Sequence, residues 1–267
     1  MIELRSLLAG AVAVCLPVAA PALAHAGFLV PVLDASDTTG EVILYASFSD
    51  DFPETDIALR SQDWTLIPPS GAPQAFDKIA SSRTRTALQA FLEDEGTYRL
   101  SSGERLGRKG QAARIEGELF RLGGDGLDAD NLPDGAQILT AQTATVSDLY
   151  ITRGEPTPST WSSRIGRLAI MPLSNPTGLA PGDGMDLAIR FDAQPMADMP
   201  VTVFVPAGSR EEGVAETTYR TDDNGEIRLA CDTAGAHLAM VRHLAMAPQG
   251  AQTDVRSYTT TLTVICE

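Results

Sequence analysis

The sequence predicts an all-β protein built from antiparallel β-sandwiches, and three observations support this prediction. Short apolar segments rich in β-branched residues recur along the chain at a spacing of roughly 8–15 residues. Turn-forming sequences such as Asp223-Asn224-Gly225 separate these segments. A helix-like apolar period is present only in a brief stretch from Ser82 to Glu93. Short strands with Gly and Pro turns are typical of antiparallel sandwiches.

The composition agrees with a globular fold and excludes several classes of function. Of the 267 residues, 43% are apolar and 21% are charged, as in ordinary folded domains. The 35 acidic residues outnumber the 20 basic ones, which gives a net charge of −15. Because phosphate backbones need a dense basic surface, we expect no nucleic-acid partner. At roughly 150 residues per domain, the length indicates two domains.

Residues 1–24 have the pattern of a cleaved secretory signal peptide. A short polar start precedes an almost wholly apolar stretch that ends in Ala22-Leu23-Ala24. Small residues at these positions are typical of a signal-peptidase site. Pro17 and Pro21 interrupt any helix long enough to span a bilayer. We therefore expect a periplasmic protein with no membrane span in its mature form.

Two cleavage positions fit the small-residue rule, and they differ in one functional group. Cleavage after Ala24 leaves His25 as the new N-terminus, whereas cleavage after Ala26 removes His25. Only the first position gives the mature chain a histidine that carries a free α-amine.

The mature chain contains ten strand-like segments and one proline-rich linker. The segments are Glu41–Phe48, Gly96–Leu100, Ala113–Leu122, Arg167–Pro172, Met185–Phe191, Pro200–Val205, Thr217–Thr221, Ile227–Cys231, His237–Val241 and Tyr258–Cys266. Between Glu155 and Thr160, two prolines and small polar residues resist both helix and sheet. This linker predicts an N-terminal sandwich over residues 25–162 and a C-terminal sandwich over residues 163–267.

The predicted export also determines which cysteines the mature chain retains and whether they are oxidised. Cys15 leaves with the signal peptide, and Cys231 and Cys266 remain in an oxidising compartment. We predict a disulfide between them that closes a loop of about 35 residues. The alternative is a metal site with two thiolate ligands.

The order of motifs in the C-terminal half resembles that of one exported family. The motifs are Pro172-Leu173-Ser174-Asn175-Pro176, Leu179-Ala180-Pro181-Gly182-Asp183, Gln194-Pro195, Val201-Thr202-Val203, Thr221-Asp222-Asp223-Asn224-Gly225 and the closing Thr261-Leu262-Thr263-Val264. They are similar to those of a domain-of-unknown-function family that genome annotation often labels a periplasmic component of cobalt or nickel uptake (the nickel uptake substrate-specific region). The first half resembles this family more weakly, through Gly96-Thr97-Tyr98 and Ser147-Asp148-Leu149-Tyr150-Ile151.

These motifs carry more information about fold than about activity. A Pro-Gly-Asp turn reverses the chain between strands, and Asp-Asn-Gly tolerates positive φ. The Thr221-Asp222-x-x-Gly225 pattern also occurs in transthyretin-like and carboxypeptidase-regulatory-like sandwiches. We therefore expect immunoglobulin-like or transthyretin-like sandwiches.

Candidate metal ligands are few, because the sequence contains only three histidines. Imidazole is a common ligand of nickel, cobalt, copper and zinc. If cleavage precedes His25, its α-amine and ring nitrogen can chelate one ion together. The resemblance implies His243 as a second ligand. His237 alternates with Leu238 in a strand-like segment, so we expect a structural role for it.

Two acidic clusters are candidate calcium sites. The loop from Asp125 to Asp134 contains four aspartates, and a second cluster comprises Asp50, Asp51, Glu54 and Asp56. Neither has the residue order of an EF-hand, so the alternative is a solvated turn.

No Gly-x-Ser-x-Gly or His-Glu-x-x-His motif is present, and we expect no enzyme activity. A copper centre at a terminal His25 that oxidises polysaccharide is the catalytic alternative.

The leading hypothesis is a periplasmic protein that binds or delivers a divalent transition metal, Ni or Co and alternatively Cu or Zn. Its partners are the metal ion and an envelope transporter or receptor. The other alternative is a non-catalytic β-sandwich interaction module of the cell envelope.

Overall fold

Most of the described chain forms β-strands, in which successive side chains point to opposite faces of the sheet. The structure, a computed structural model, describes residues 25–32, 40–123, 126–206 and 213–267. The predicted signal peptide lies outside these residues. Within them the regular elements are strands and one 3-10 turn, Ala129–Asn131, so the predicted all-β class is confirmed. No helix in the described residues has the length and apolarity needed to cross a bilayer.

The strands are β1 (Ala26–Pro31), β2 (Glu41–Ser49), β3 (Ile57–Ala58), β4 (Thr65–Ile67), β5 (Lys78–Ser81), β6 (Thr86–Phe91), β7 (Gly96–Ser101), β8 (Arg105–Ile115), β9 (Glu118–Arg121), β10 (Gln137–Arg153), β11 (Leu168–Pro172), β12 (Asp183–Phe191), β13 (Gln194–Pro195), β14 (Pro200–Pro206), β15 (Val214–Arg220), β16 (Glu226–Cys231), β17 (Gly235–Met246) and β18 (Val255–Cys266).

A nine-stranded sheet forms the middle layer of the fold. Its strand order is β15-β14-β17-β18-β10-β7-β4, with β8 paired to β10 and β9 paired to β8. The pair β10–β18 is parallel, whereas the other named pairs in this sheet are antiparallel. Among the paired strands of this sheet, β10 and β18 are the farthest apart in sequence, and they lie next to each other near its centre.

Two smaller sheets cover opposite faces of the central sheet. Leu238 and Met240 of β17 pack with Phe28 of β1, which belongs to the five-stranded sheet β1-β2-β6-β5 with β3. The intervening residue Ala239 packs instead with Leu187 of β12, which belongs to the four-stranded sheet β11-β12-β13 with β16. Since neighbouring residues of a strand point to opposite faces, the fold has three layers. We call the face toward β1 the first face and the face toward β12 the second face.

The predicted boundary near residue 162 falls between β10 and β11, but the central sheet continues across it. β10 from the N-terminal half pairs with β18 from the C-terminal half. The predicted linker forms neither helix nor strand, yet it is held in place: the Thr157 amide donates to Thr97 Oγ1, and Ser159 Oγ donates to the Pro69 carbonyl. The two sandwiches therefore share one layer.

The helical interpretation of the apolar pattern at residues 82–93 is wrong. Thr86–Phe91 forms β6, which pairs with β2 on one side and β5 on the other. Thr86, Leu88 and Ala90 are buried, whereas the alternate residues Ala87 and Gln89 are only partly buried. This two-residue period and pairing on both edges outweigh a brief helical pattern.

The predicted disulfide between Cys231 and Cys266 is confirmed. Their Cα atoms lie 5.9 Å apart, and both side chains are buried. Cys231 ends β16 in the four-stranded sheet, and Cys266 ends β18 in the central sheet. The bond therefore joins two layers covalently.

Candidate functional site

His25 lies between two carboxylates at one end of the five-stranded sheet. Its Nδ1 is 3.3 Å from Asp50 Oδ2, and its Nε2 is 3.3 Å from Asp56 Oδ2. The His25 side chain is 44% exposed, so solvent reaches the ring. The sequence identified His25 and the acidic cluster as separate candidates, and the fold brings them together.

Strand register explains this arrangement. In the β1–β2 pair Ala26 lies opposite Ser49, so the next residues outward, His25 and Asp50, face each other. On the other side of β2, β3 pairs with Phe48 through Ile57, which places the preceding Asp56 beside the same end of β2. Three polar residues distant in sequence therefore meet because one strand has two neighbours.

The donors around His25 do not form a complete metal site from side chains alone. Asp50 and Asp56 approach different ring nitrogens, so one ion bound in the ring plane cannot contact both carboxylates and the ring. In the described residues, no group of three His, Cys, Asp or Glu side chains has metal-binding geometry. A three-donor site at His25 therefore requires a donor beyond these side chains.

His243 lies in a different environment, on the second face. Its ring packs edge-on against Phe191 at 4.6 Å between centroids. Arg167 stacks over Phe191 and forms a two-point ion pair with Asp192. Burial lowers the pKa of His243, and the positive charge of Arg167 lowers it further, whereas Asp192 acts in the opposite direction. The positive charge of Arg167 beside the ring opposes a metal cation at His243.

His25 and His243 are not brought together. Arg242, the residue before His243, lines a cavity together with His25. His243 points to the opposite face, and its cross-strand neighbour Tyr258 packs against Phe191 in the second-face core. The central sheet therefore separates the two imidazoles, and one ion cannot bind both within a chain.

The environment of His243 predicts a pH dependence of stability. Because its pKa in the folded state is lowered, the unfolded chain takes up the proton first as pH falls below about 6.5. We expect the free energy of unfolding to fall in this window, and to fall less in His243→Gln. Urea unfolding at a series of pH values tests this, together with NMR titration of the ring. A His243 midpoint at or above its ordinary value would contradict the prediction.

His237 is buried in the central sheet, and its Nε2 donates a hydrogen bond to the Thr233 carbonyl at 2.9 Å.

In the acidic loop from Asp125 to Asp134, Asp125 lies outside the described residues. Asp128 caps the 3-10 turn by accepting from the Asp130 amide, and its other oxygen accepts from the Asn131 side chain. These contacts give His237 and Asp128 local structural roles. Calcium binding by the acidic loop stays a prediction.

Sequence reasoning missed a group of arginines beside His25. A cavity of about 550 Å³ opens between the first face and the five-stranded sheet. Arg105, Arg108, Arg121 and Arg242 line it. A signal was present in the sequence, since residues 105–109 contain three basic residues in a strongly acidic chain.

Comparison with known families identifies the chain's relatives. Residues 22–245 match a family described as Domain of unknown function (DUF4198). The chain belongs to this family. The DUF4198 match includes His25, His243 and the four arginines of the cavity, and it ends before β18. No curated protein matches the chain significantly.

Proposed function

We propose that this protein is exported to the periplasm and binds a divalent transition metal there, for delivery to an envelope transporter or receptor. Nickel and cobalt are the leading ions, and copper and zinc are the alternatives. The proposal is supported by the signal-peptide pattern and by the resemblance to proteins labelled as components of cobalt and nickel uptake. The observation that carries it is the placement of His25 between Asp50 and Asp56.

The proposed donors are the α-amine and Nδ1 of His25 together with the Asp50 carboxylate. Two neighbouring ligand atoms about 2.1 Å from an octahedral or tetrahedral metal lie about 3.0–3.4 Å apart, a range that includes the 3.3 Å between Nδ1 and Asp50 Oδ2. Asp50 Oδ1 is buried and has no hydrogen-bond partner in the part of the chain that the structure describes. An uncompensated carboxylate oxygen beside an open imidazole favours a cation at this position.

Asp56 fits a supporting role toward the same ring. A histidine bound to metal through one nitrogen commonly donates its other N–H to a carboxylate, which fixes the orientation of the ring. Asp56 Oδ2 lies 3.3 Å from Nε2, where it can accept this hydrogen bond. The ring therefore has one nitrogen toward the proposed metal and the other toward an acceptor.

The proposal predicts that His25→Ala abolishes near-stoichiometric binding of Ni²⁺, Co²⁺ or Cu²⁺. The measurement is calorimetry on the tag-free exported protein, with mass spectrometry to establish that its chain begins at His25. Asp56→Asn is expected to weaken binding by about 10–100-fold while leaving the ligands in place.

His243→Ala is the matched control, because it removes an imidazole on the opposite face, and it is expected to bind metal as the unmodified protein does. A mature chain that begins at Gly27, or an absence of binding at micromolar metal, would contradict the proposal.

A further inference from the structure

The cavity beside His25 is strongly basic, although the protein is acidic. It lies under the five-stranded sheet and is lined by four arginines, whereas none of its described lining residues is Asp or Glu. The protein as a whole carries a net charge of −15. The sign of charge in the cavity is therefore opposite to that of the protein as a whole.

The floor of the cavity presents a row of polar groups across four adjacent strands. Arg242 of β17 pairs with Thr259 of β18, which pairs with Thr145 of β10, which in turn pairs with Arg105 of β8. All four line the cavity. With about 4.8 Å between strands, two hydroxyls lie between two guanidinium groups.

Further hydroxyls extend this row along the strands. Thr143 pairs with Ser257, and both line the cavity one step from the Thr145–Thr259 pair. These four side chains are half-buried, whereas the residues between them are buried in the second-face core or its edge. None of the four hydroxyls donates or accepts a hydrogen bond within the described residues. They are therefore available to a ligand.

A β-bulge brings a further arginine into the cavity. The β8–β10 register shifts between Gln142 and Ala144, so that Gly107 and Arg108 together oppose Thr143. Bulges of this kind redirect a side chain, and they often lie beside binding sites. A Cβ on Gly107 would lie 2.3 Å from Thr143 Oγ1 and 3.0 Å from Arg105 Nη1. Glycine at this position keeps the space between these groups open.

Arg105 and Arg108 are held near each other without a carboxylate between them. Arg105 Nε donates to the Arg60 carbonyl, and its guanidinium stacks over Phe48. Neither arginine forms an ion pair with a described acidic residue. Burial lowers the pKa of Arg105, and the charge of Arg108 lowers it further. Each guanidinium would therefore be stabilised by an anion between them.

We propose that this cavity binds a small organic anion with at least two oxyanion groups, either carboxylates or phosphates. Guanidinium forks and hydroxyls are the donors that such groups prefer. Phe48, Ile57 and Ala58 form an apolar wall that covers a carbon skeleton. The volume of about 550 Å³ is within the range of small-molecule sites and exceeds the need of one inorganic ion. The inference does not rest on metal binding at His25.

The test is calorimetry on the metal-free exported protein with citrate and with fructose 1,6-bisphosphate, at low and matched ionic strength. At least one of the two is expected to bind saturably with a stoichiometry of one. Tighter binding of citrate assigns carboxylates as the recognised groups, and tighter binding of fructose 1,6-bisphosphate assigns phosphates. Arg108→Gln is expected to weaken binding at least about tenfold, because it removes a charge-assisted hydrogen bond.

Arg228→Gln removes the same charge from the four-stranded sheet and is the matched control, with unchanged affinity expected. Thr259→Val removes one hydroxyl with little change of shape and is expected to weaken binding severalfold. The titration uses metal-free protein, so it measures anion binding independently of the proposed metal site. No saturable binding of either anion up to about 10 mM, or equal losses in the Arg108 and Arg228 variants, would overturn the proposal.

Discussion

Arg99→Met is expected to lower the free energy of unfolding by about 3–5 kcal/mol. Arg99 in β7 and Asp148 in β10 form an ion pair with 2.6 Å between Nη2 and Oδ2, and their side chains are only 1% and 2% exposed. Removal of the guanidinium leaves a buried carboxylate without its counter-charge. The cost is the desolvation of that carboxylate, which the folded state no longer offsets.

Arg99 also binds the segment between β10 and β11 through a hydrogen bond. Its Nη1 donates to the Ser163 carbonyl at 2.6 Å. Burial acts to lower the pKa of Arg99, but the charge of Asp148 and the nearby Tyr150 oxygen raise it above its ordinary value. The guanidinium therefore stays charged in the core and holds a segment that has no strand pairing of its own.

Urea unfolding of Arg99→Met measures this loss, and Arg228→Met is its control. Arg228 pairs with Asp186 on the surface, where the two side chains are 64% and 47% exposed, and its removal is expected to cost less than about 1 kcal/mol. The double variant Arg99→Met, Asp148→Leu is expected to recover part of the loss, because no buried charge remains. Equal losses in the two single variants would contradict the prediction.

The second large effect is expected from the disulfide. Replacement of both Cys231 and Cys266 by alanine is expected to lower the free energy of unfolding by about 4 kcal/mol, since the bond closes a loop of 35 residues. Part of this effect arises in the unfolded chain, which the bond restricts. The rest arises where two buried side chains join the four-stranded sheet to the central sheet.

Comparison of oxidised and reduced protein separates the bond from the packing of the side chains. Reductant is expected to destabilise the unmodified protein and to leave the double alanine variant unchanged. Thiol titration of the denatured chain of residues 25–267 is expected to find no free sulfhydryl. Two free thiols per chain would show that the bond does not form.

Much of the fold was predictable from local patterns, but its central strand was not. β2, β14 and β18 combine β-branched residues with clear alternation, which local analysis detects. The long strand β10 was not among the predicted strands, and residues 147–151 were noted only as a motif of the family that the chain resembles. Its first half contains Thr143 and Thr145, which line the cavity and are polar, so this part of the strand lacks a clear apolar pattern.

The candidate site shows a similar limit. His25 and the acidic cluster were each identified, but their contact depends on the register of β1 and β3 against β2. The family resemblance implied His243 as a second ligand, and local sequence does not reveal which face of a fully covered strand each residue takes. The basic cavity gathers residues from β8, β9, β10, β17 and β18, and no local motif encodes that grouping.

The parallel pairing of β10 with β18 also constrains the order in which the protein can assemble. Thr140 and Asp254, which bond to each other beside these strands, are 114 positions apart. While the ribosome or a translocation channel still holds residues 255–266, β10 and β17 lack their shared neighbour. Each then exposes a row of unpaired backbone amides and carbonyls at the middle of the future sheet. Until β18 pairs with both strands, these open edges can pair with other chains, so the incomplete chain is prone to aggregate.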